Sequence, residues 1–178
     1  DYKKIKSAIN DEVKEVSASD FIDKLGVMYY KDQKEPFTGK FLVREDDKTL
    51  TGIFNNGERV GTWIWMHENG SRLGEQTYKD GSPDGVHTEW YENGQKKSEI
   101  NYVDGDRNGQ YTEWLENGEI LTNIVYKNDK KWDGVVVVFD YYMGHMSRKE
   151  NYKNGKRNGL WTEWYVGGQK KSEINYVD

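Results

Sequence analysis

Cysteine is absent from all 178 residues. Disulfides, a thiolate zinc site and a thiol nucleophile are therefore excluded. This absence is compatible with any compartment. Long apolar runs are missing too, so no stretch of about 18 residues reads as a membrane-crossing helix. Excess positive charge is also lacking. Lys and Arg number 26 against 31 Asp and Glu, a net charge of −5, and the sequence pI is about 5.4. A nucleic-acid footprint or a strong anionic-lipid patch would be basic, so neither is expected. The phosphate-cradling GxxxxGK[ST], the nucleophile elbow GxSxG and the zinc-protease HExxH do not occur. Proline is scarce, at 2 residues, and apolar residues make up only 34%. Mean hydropathy is −1.04, which on its own would describe a disordered chain.

Aromatic residues argue against disorder. They reach 14%, with 7 Trp and 13 Tyr, so burial must come largely from rings rather than from a Leu/Ile/Val core. Glycine is plentiful at 19, as many turns with positive φ would require.

These residues recur with a period. Gly61, Gly85, Gly109, Gly134 and Gly159 are separated by steps of 24, 24, 25 and 25. Nine residues after most of them stands a second glycine, in Asn69-Gly70, Asn93-Gly94, Asn117-Gly118 and Gly167-Gly168. Seventeen residues after the same anchors stand Tyr78, Tyr102, Tyr126 and Tyr176. The ten residues QKKSEINYVD occur twice unchanged, at Gln95–Asp104 and Gln169–Asp178. Asn-Gly between short aromatic and β-branched runs is a hairpin signal. Taking Asn93-Gly94 as a two-residue loop pairs Trp90 with Lys97 and Gly85 with Tyr102. The same arithmetic pairs Gly61 with Tyr78, Gly109 with Tyr126 and Gly159 with Tyr176. A ring opposite each glycine is expected to lie over it and shield its backbone. Gly39 would pair with Phe54. The longer Gly134–Tyr152 unit would close through a three-residue loop, Tyr142-Met143-Gly144. Short polar connectors such as DGDRNG (Asp104–Gly109) join the hairpins.

Opposed residues share a face. One face gathers Gly85, His87, Ile100 and Tyr102, with Gly159, Trp161, Ile174 and Tyr176 in the last repeat, and is the expected buried side. The other carries Thr88, Trp90, Lys97 and Glu99. Trp90, Trp114 and Trp164 would form a row there, about 10 Å apart if each repeat adds two strands. Near the N-terminus, Tyr2, Ile5, Ile9, Val13 and Val16 recur at near-helical spacing. The expected organisation is a helical segment within 1–24, opening hairpins and a cap over 25–57, and the repeats over 58–178. Gly26–Tyr30 and Pro36–Phe41 read as the first hairpin, around KDQK. The predicted fold is all-β: an elongated, solenoid-like single twisted antiparallel sheet of stacked hairpins with a short N-terminal helix.

The stretches NGKRNGLWTEWY (Asn154–Tyr165) and DGVHTEWYENGQKKSEINYVDG (Asp84–Gly105) resemble MORN-repeat variants. Such repeats occur in bacterial exported proteins and in a family labelled as antitoxins. The likeness runs from about Pro36 to Asp178. It implies stacked hairpins and a scaffold for protein contacts, dimerisation or lipid association. Two units depart from the pattern, with Arg44 and Phe139 where the others place Trp.

Candidate chemistry is thin. His67, His87 and His145 hold three different repeat positions, and His87 stands where Trp63, Tyr111 and Trp161 stand elsewhere, as a packing ring would. The loop Asp104–Gly109 matches the front of a calcium loop, but its twelfth position is Leu115 rather than Glu. Glu89, Glu113 and Glu163 recur at one position, and Glu75, Glu99 and Glu173 at another. A catalytic pair is a singular arrangement, so these read as rungs paired with lysine. No cofactor and no metal are expected. The tryptophan row beside Lys97 and Lys171 remains as a binding surface; the anchor glycines and their tyrosines are structural.

The expectation is a non-enzymatic scaffold for protein–protein interaction. The first residue, Asp1, points to a processed and exported form, envelope-attached or extracellular, with any membrane attachment through a removed or lost anchor. Two alternatives stand beside it: a carbohydrate or choline binder using the aromatic row, and a cytoplasmic antitoxin-like component that masks a toxin. Asp178 matches Asp104, where a further repeat follows, so the C-terminal edge is expected to continue or to pair, as in a homo-oligomer.

Overall fold

The computed structural model describes residues 13–24, 26–45, 47–140 and 145–177. Among them the strands are β1 (Val13–Val16), β2 (Phe21–Lys24), β3 (Val27–Tyr30), β4 (Gly39–Glu45), β5 (Lys48–Asn55), β6 (Glu58–His67), β7 (Arg72–Lys79) and β8 (Ser82–Trp90). They continue with β9 (Lys96–Val103), β10 (Asp106–Trp114), β11 (Ile120–Lys127), β12 (Lys130–Asp140), β13 (His145–Lys153), β14 (Lys156–Arg157), β15 (Gly159–Trp164) and β16 (Lys170–Tyr176). Fourteen of them belong to one open sheet; β2 and β3 pair separately. By its contacts the chain divides into two compact units. The first is the described part of Asp1–Gln95 with Val103–Gly105, the second Lys96–Tyr102 with Asp106–Asp178.

In the first unit the sheet order is β1-β4-β5-β6-β7-β8. β1 joins β4 in parallel, whereas β4–β5 and β6–β7 are antiparallel hairpins. The expected N-terminal helix is not found. Tyr2, Ile5 and Ile9 lie outside the described residues, but Val13 and Val16 sit in a strand. Ser17 caps a single 3-10 turn, Ala18–Asp20, before β2 begins. The valines at both ends of β1 are β-branched and favour the extended backbone, and pairing with β4 satisfies it. β3 pairs with β2, while Pro36 forms one bridge with Tyr29. This small pair covers the sheet. Phe21 packs edge-on against Phe41, ring centroids 5.4 Å apart, and Met28 N–H donates to the Gly57 carbonyl at 2.9 Å. The core beneath consists of Val16, Phe37, Phe41, Val43, Phe54 and Trp63.

In the second unit the order is β9-β10-β11-β12-β13-β15-β16, with β14 beside β13. The buried apolar cluster is Ile100, Ile124 and Tyr126, with Tyr102, Tyr111, Val136 and Tyr152 packed against it. Ile100 and Tyr102 lie on the cluster side as expected, but Ile174, expected on the same face, is 52% exposed, and Thr88 and its equivalents Thr112 and Thr162, expected on the opposite face, are buried.

Register follows the glycine–aromatic arithmetic in five hairpins. Gly39 stands opposite Phe54, Gly61 opposite Tyr78, Gly109 opposite Tyr126, Gly134 opposite Tyr152 and Gly159 opposite Tyr176. The turns differ from the expected ones. The two-residue loops with both residues at positive φ are the polar connectors: Asn56-Gly57, Asp80-Gly81, Asp104-Gly105, Asn128-Asp129 and Asn154-Gly155. These have the conformation of type I′ turns. At the other end of the hairpins β6–β7, β8–β9, β10–β11 and β15–β16 the loops have three residues. His67 N–H donates to Ser71 O, and Gly70 N–H donates to His67 O. Gly70 alone takes positive φ while Asn69 does not, and the Asn69 side chain accepts from Ser71 N–H at 2.8 Å. Asn93 and Asn117 accept in the same way from Gln95 and Glu119. A hairpin of this kind carries a one-residue bulge, and the register slips between Trp65 and Met66, between Glu113 and Trp114, and between Glu163 and Trp164. The loop expected at Tyr142-Met143-Gly144 lies outside the described residues.

Candidate functional site

The anchor glycines are required by their own backbone. Gly61, Gly109 and Gly159 have φ of +66°, +113° and +77°, a region that L side chains rarely adopt. The expected ring over each glycine is not what the structure shows. A Cβ built on Gly61 would meet only Ile53, and one on Gly159 only Asn151. The tyrosines turn to a different ring. Tyr78 packs on Trp63 at 5.6 Å, Tyr126 on Tyr111 at 6.1 Å and Tyr176 on Trp161 at 5.4 Å between centroids. Rings do lie against other glycines, though not the expected ones: a Cβ would stand 2.5 Å from the Trp63 indole at Gly52, 3.3 Å from the Phe37 ring at Gly39 and 3.4 Å from the Trp132 ring at Gly155.

A periodic arginine completes this stack. Two residues before their anchors, Arg59, Arg107 and Arg157 lie over Tyr78, Tyr126 and Trp161, at 5.3, 4.4 and 3.9 Å from the ring centroids. Arg59 and Arg157 also donate to the Tyr78 and Tyr176 hydroxyls, each at 3.2 Å. Arg107 instead donates to Asp129 at 2.8 Å. Hydrogen bonding from Arg107 holds the Asp129 carboxyl below its ordinary range. The hairpin arithmetic did not single out these arginines, although their constant offset from the glycine was a readable signal.

The three tryptophans of the expected row are half-buried at Trp90, Trp114 and Trp164 and belong to neither core cluster. The bulge shifts the pairing at Trp114 and Trp164, so Trp114 stands opposite Ile120 and Trp164 opposite Lys170 rather than Lys171. In the first unit the Arg72 guanidinium lies 5.7 Å from the Trp90 centroid. Lys97 and Lys171 are exposed, and Lys171 Nζ is 3.4 Å from Glu163 Oε2. The recurring carboxylates are paired as rungs. Glu75 meets Arg72 at 2.8 Å, Glu173 meets Lys170 at 2.5 Å, and Glu99 meets Lys96. Exposed pairs of this kind contribute about 0–1 kcal/mol each.

Two further features carry no mark in the sequence pattern. Glu150 is buried, with a 4% exposed side chain, and is held by Lys131 at 3.3 Å, by Arg148 and by the Tyr152 hydroxyl at 3.1 Å. Burial, with the adjacent Glu150 charge, pushes the Tyr152 hydroxyl pKa up. In the first unit a cleft of about 340 Å³ opens between the β2–β3 pair and the sheet, lined by Phe21, Met28, Leu50, Trp63 and Trp65 with Arg59. His87 packs its ring on Trp65 at 6.5 Å and lies 3.6 Å from Glu89. Among the described residues no group of three His, Cys, Asp or Glu is arranged to hold a metal ion, and no helix is long and apolar enough to cross a membrane.

The repeat unit these contacts define is a hairpin with a bulged three-residue loop, bounded by type I′ turns. The family described as MORN repeat variant matches residues 59–80, 83–104 and 157–178. Residues 59–80 cover β6 and β7 between two such turns. No curated protein matches the chain. MORN repeats are binding and scaffold repeats rather than an enzyme family. The anchor glycine, its facing aromatic and a three-residue loop with glycine at its last position recur where the family pattern falls, and the chain is a repeat protein in which three hairpins, at residues 59–80, 83–104 and 157–178, are MORN repeat variants.

Proposed function

We propose that the chain is a non-enzymatic scaffold that binds a protein partner through the hairpin ends carrying Trp90, Trp114 and Trp164. One observation supports this reading. The hairpins place a ring two residues after the glycine into the shared stack, as Trp63, Tyr111 and Trp161 do. Three hairpins place a ring five residues after the glycine, Trp90, Trp114 and Trp164, that joins neither core cluster. A large, half-buried ring beside paired Lys and Glu suits a protein surface, where aromatic anchors within a polar rim carry most of the binding energy. Lys97 and Lys171 supply that rim. Export to the cell envelope or beyond belongs to the same reading, and fractionation of cells producing the chain reads it directly.

The test is a variant with Trp90, Trp114 and Trp164 all replaced by Ala. Wild-type and variant chains, cross-linked in their native cells, are compared for a stoichiometric partner. The expected result is one protein retained by the wild type and lost from the variant, with circular dichroism unchanged. Retention by both overturns the tryptophan surface. Saturable quenching of Trp emission by a glycan or choline, with no protein partner, replaces this reading with ligand binding. A toxin as the captured protein replaces the exported scaffold with an antitoxin.

A further inference from the structure

The cleft of the first unit has a floor, a roof and a charged rim, each with its own cause. The floor is Trp63. Gly52 on β5 has no side chain, and a Cβ there would stand 2.5 Å from the Trp63 indole, so the missing Cβ lets the ring lie against the strand. The indole N–H is already used, since it donates to the Ile53 carbonyl at 3.2 Å. Phe54 packs edge-on against Trp63 with 4.9 Å between centroids, and Trp65 adds a further ring to the lining. The roof comes from β2 and β3. Phe21 lies 5.6 Å from Phe54 between centroids, and Met28 is tied to the Gly57 turn by its backbone. Four rings thus line one space of about 340 Å³.

The rim is different in kind. Among the described residues that line the cleft, the polar side chains are Thr49, Lys48 and Arg59, and none is Asp or Glu. Thr49 is buried, and its hydroxyl accepts from Arg44 at 3.4 Å. Two cations remain. The Arg59 guanidinium is held in place, 4.7 Å from the Trp63 centroid and with Nη1 donating to the Tyr78 hydroxyl at 3.2 Å. A guanidinium has several further N–H donors, so this bond leaves an edge that can take a carboxylate. Lys48 is exposed. Neither cation has an ion pair among the described residues, whereas Arg44 and Arg72 of the same unit meet Glu15 and Glu75. In a chain of net charge −5, an apolar space rimmed by two such cations is a local reversal of sign.

We propose that this cleft is a binding site for a small planar aromatic carboxylate. Its volume lies at the lower end of the range of small-ligand sites, about 300–1,000 Å³, and suits fused rings better than a long chain. The rings of the lining offer the edge and face contacts that aromatic guests prefer. Arg59 receives the carboxylate through its planar fork, and Lys48 adds a second positive charge. The site is independent of the scaffold reading, because Trp90, Trp114 and Trp164 take no part in it.

The experiment titrates the 178-residue chain with 2-naphthoate, and in parallel with its neutral amide and with decanoate. Affinity is read by calorimetry, and location by the methyl resonance of isotopically labelled Met28, assigned through Met28→Leu. The chain has 4 Met, and Met28 lines the cleft. Saturable one-to-one binding of the naphthoate is expected, with a shift of the Met28 signal. The amide should bind about tenfold more weakly, since the charge-assisted hydrogen bonds are lost. Arg59→Gln should weaken the naphthoate by a similar factor and Lys48→Ala by about threefold. Both side chains are exposed, so circular dichroism should stay unchanged. No saturable binding at millimolar ligand overturns the proposal. So does binding that leaves the Met28 signal in place, or that treats acid and amide alike. Tighter binding of decanoate than of naphthoate overturns the assigned ligand class in favour of an acyl chain.

Discussion

The two units solve one packing problem differently. The first builds a two-layer core in which β2 and β3 lie over the sheet and six apolar residues are buried. The second keeps three buried apolar residues and no covering strand pair among the described residues. It shares the guanidinium-on-ring contact with the first unit, where Arg59 lies over Tyr78, and adds asparagine side chains, Asn101 and Asn151, that donate to carbonyls of the next strand, and a buried carboxylate, Glu150, between two cations. A sheet with few aliphatic residues can therefore be stabilised by periodic polar contacts, provided that turns and bulges fix the register.

That contrast can be broken at several points. Phe41 is 2% exposed and touches Phe21, Phe54 and Trp63. Phe41→Ala is expected to cost about 3–5 kcal/mol in urea unfolding; a loss under about 1 kcal/mol would deny that the ring cluster is a core. The duplicated isoleucines give a sharper internal control. Ile100→Ala should cost about 2–4 kcal/mol and Ile174→Ala less than about 1 kcal/mol, because the same side chain loses little when it is already half in water. Equal losses would show that Ile174 is covered in solution. Gly134→Ala comes next, at about 2 kcal/mol by thermal unfolding. Its φ is +118° and a Cβ would stand 2.5 Å from the Asn123 carbonyl. Gly94→Ala, with open space around it, is expected to cost nearer to about 1 kcal/mol. The smallest effect concerns Asp129. Its pKa is depressed in the fold by hydrogen bonding from Arg107, so the stability it adds is present above the ordinary carboxylate range and is lost as pH falls through and below it. Asp129→Asn should leave stability unchanged at about pH 3 and lower it slightly at about pH 7. An equally large loss in acid would assign the effect to shape rather than charge.

Much of the fold was legible because two kinds of residue count distance along the chain. Asn-Gly marks a loop and the anchor glycine marks a positive-φ position in the strand, and their offsets led to the pairing of Gly61 with Tyr78 and of Gly159 with Tyr176. The loop type was not legible. Asn93-Gly94 and Asp80-Gly81 look alike as dipeptides, yet only the second has both residues at positive φ. The flanking bulge makes that choice, and it depends on how two strands cross rather than on either residue. The N-terminal segment misled for a related reason. Over few residues, Val13 and Val16 fit a helical spacing and a strand end equally well, and the parallel partner β4 decides between them. The cleft of the first unit was invisible, since it forms where β2 and β3 meet a sheet formed by residues far along the chain. The recurring tryptophans were visible as a pattern, but the two-residue loop did not include the bulges that change the partners of Trp114 and Trp164.

The alternation of turn types also determines how such a molecule can change length. The hairpins β6–β7, β8–β9, β10–β11 and β15–β16 each carry their own pair of punctuation marks, a tight two-residue turn at one end and a bulged loop at the other. A block cut at two tight turns can be copied or lost without turning any side chain to the wrong face. A block cut elsewhere would carry a half-finished bulge. The unchanged decapeptide, 74 positions apart, fits a block copied in this way. Growth by whole hairpins keeps every copy foldable on arrival, so the reach of the scaffold can be adjusted by counting units rather than by redesigning them.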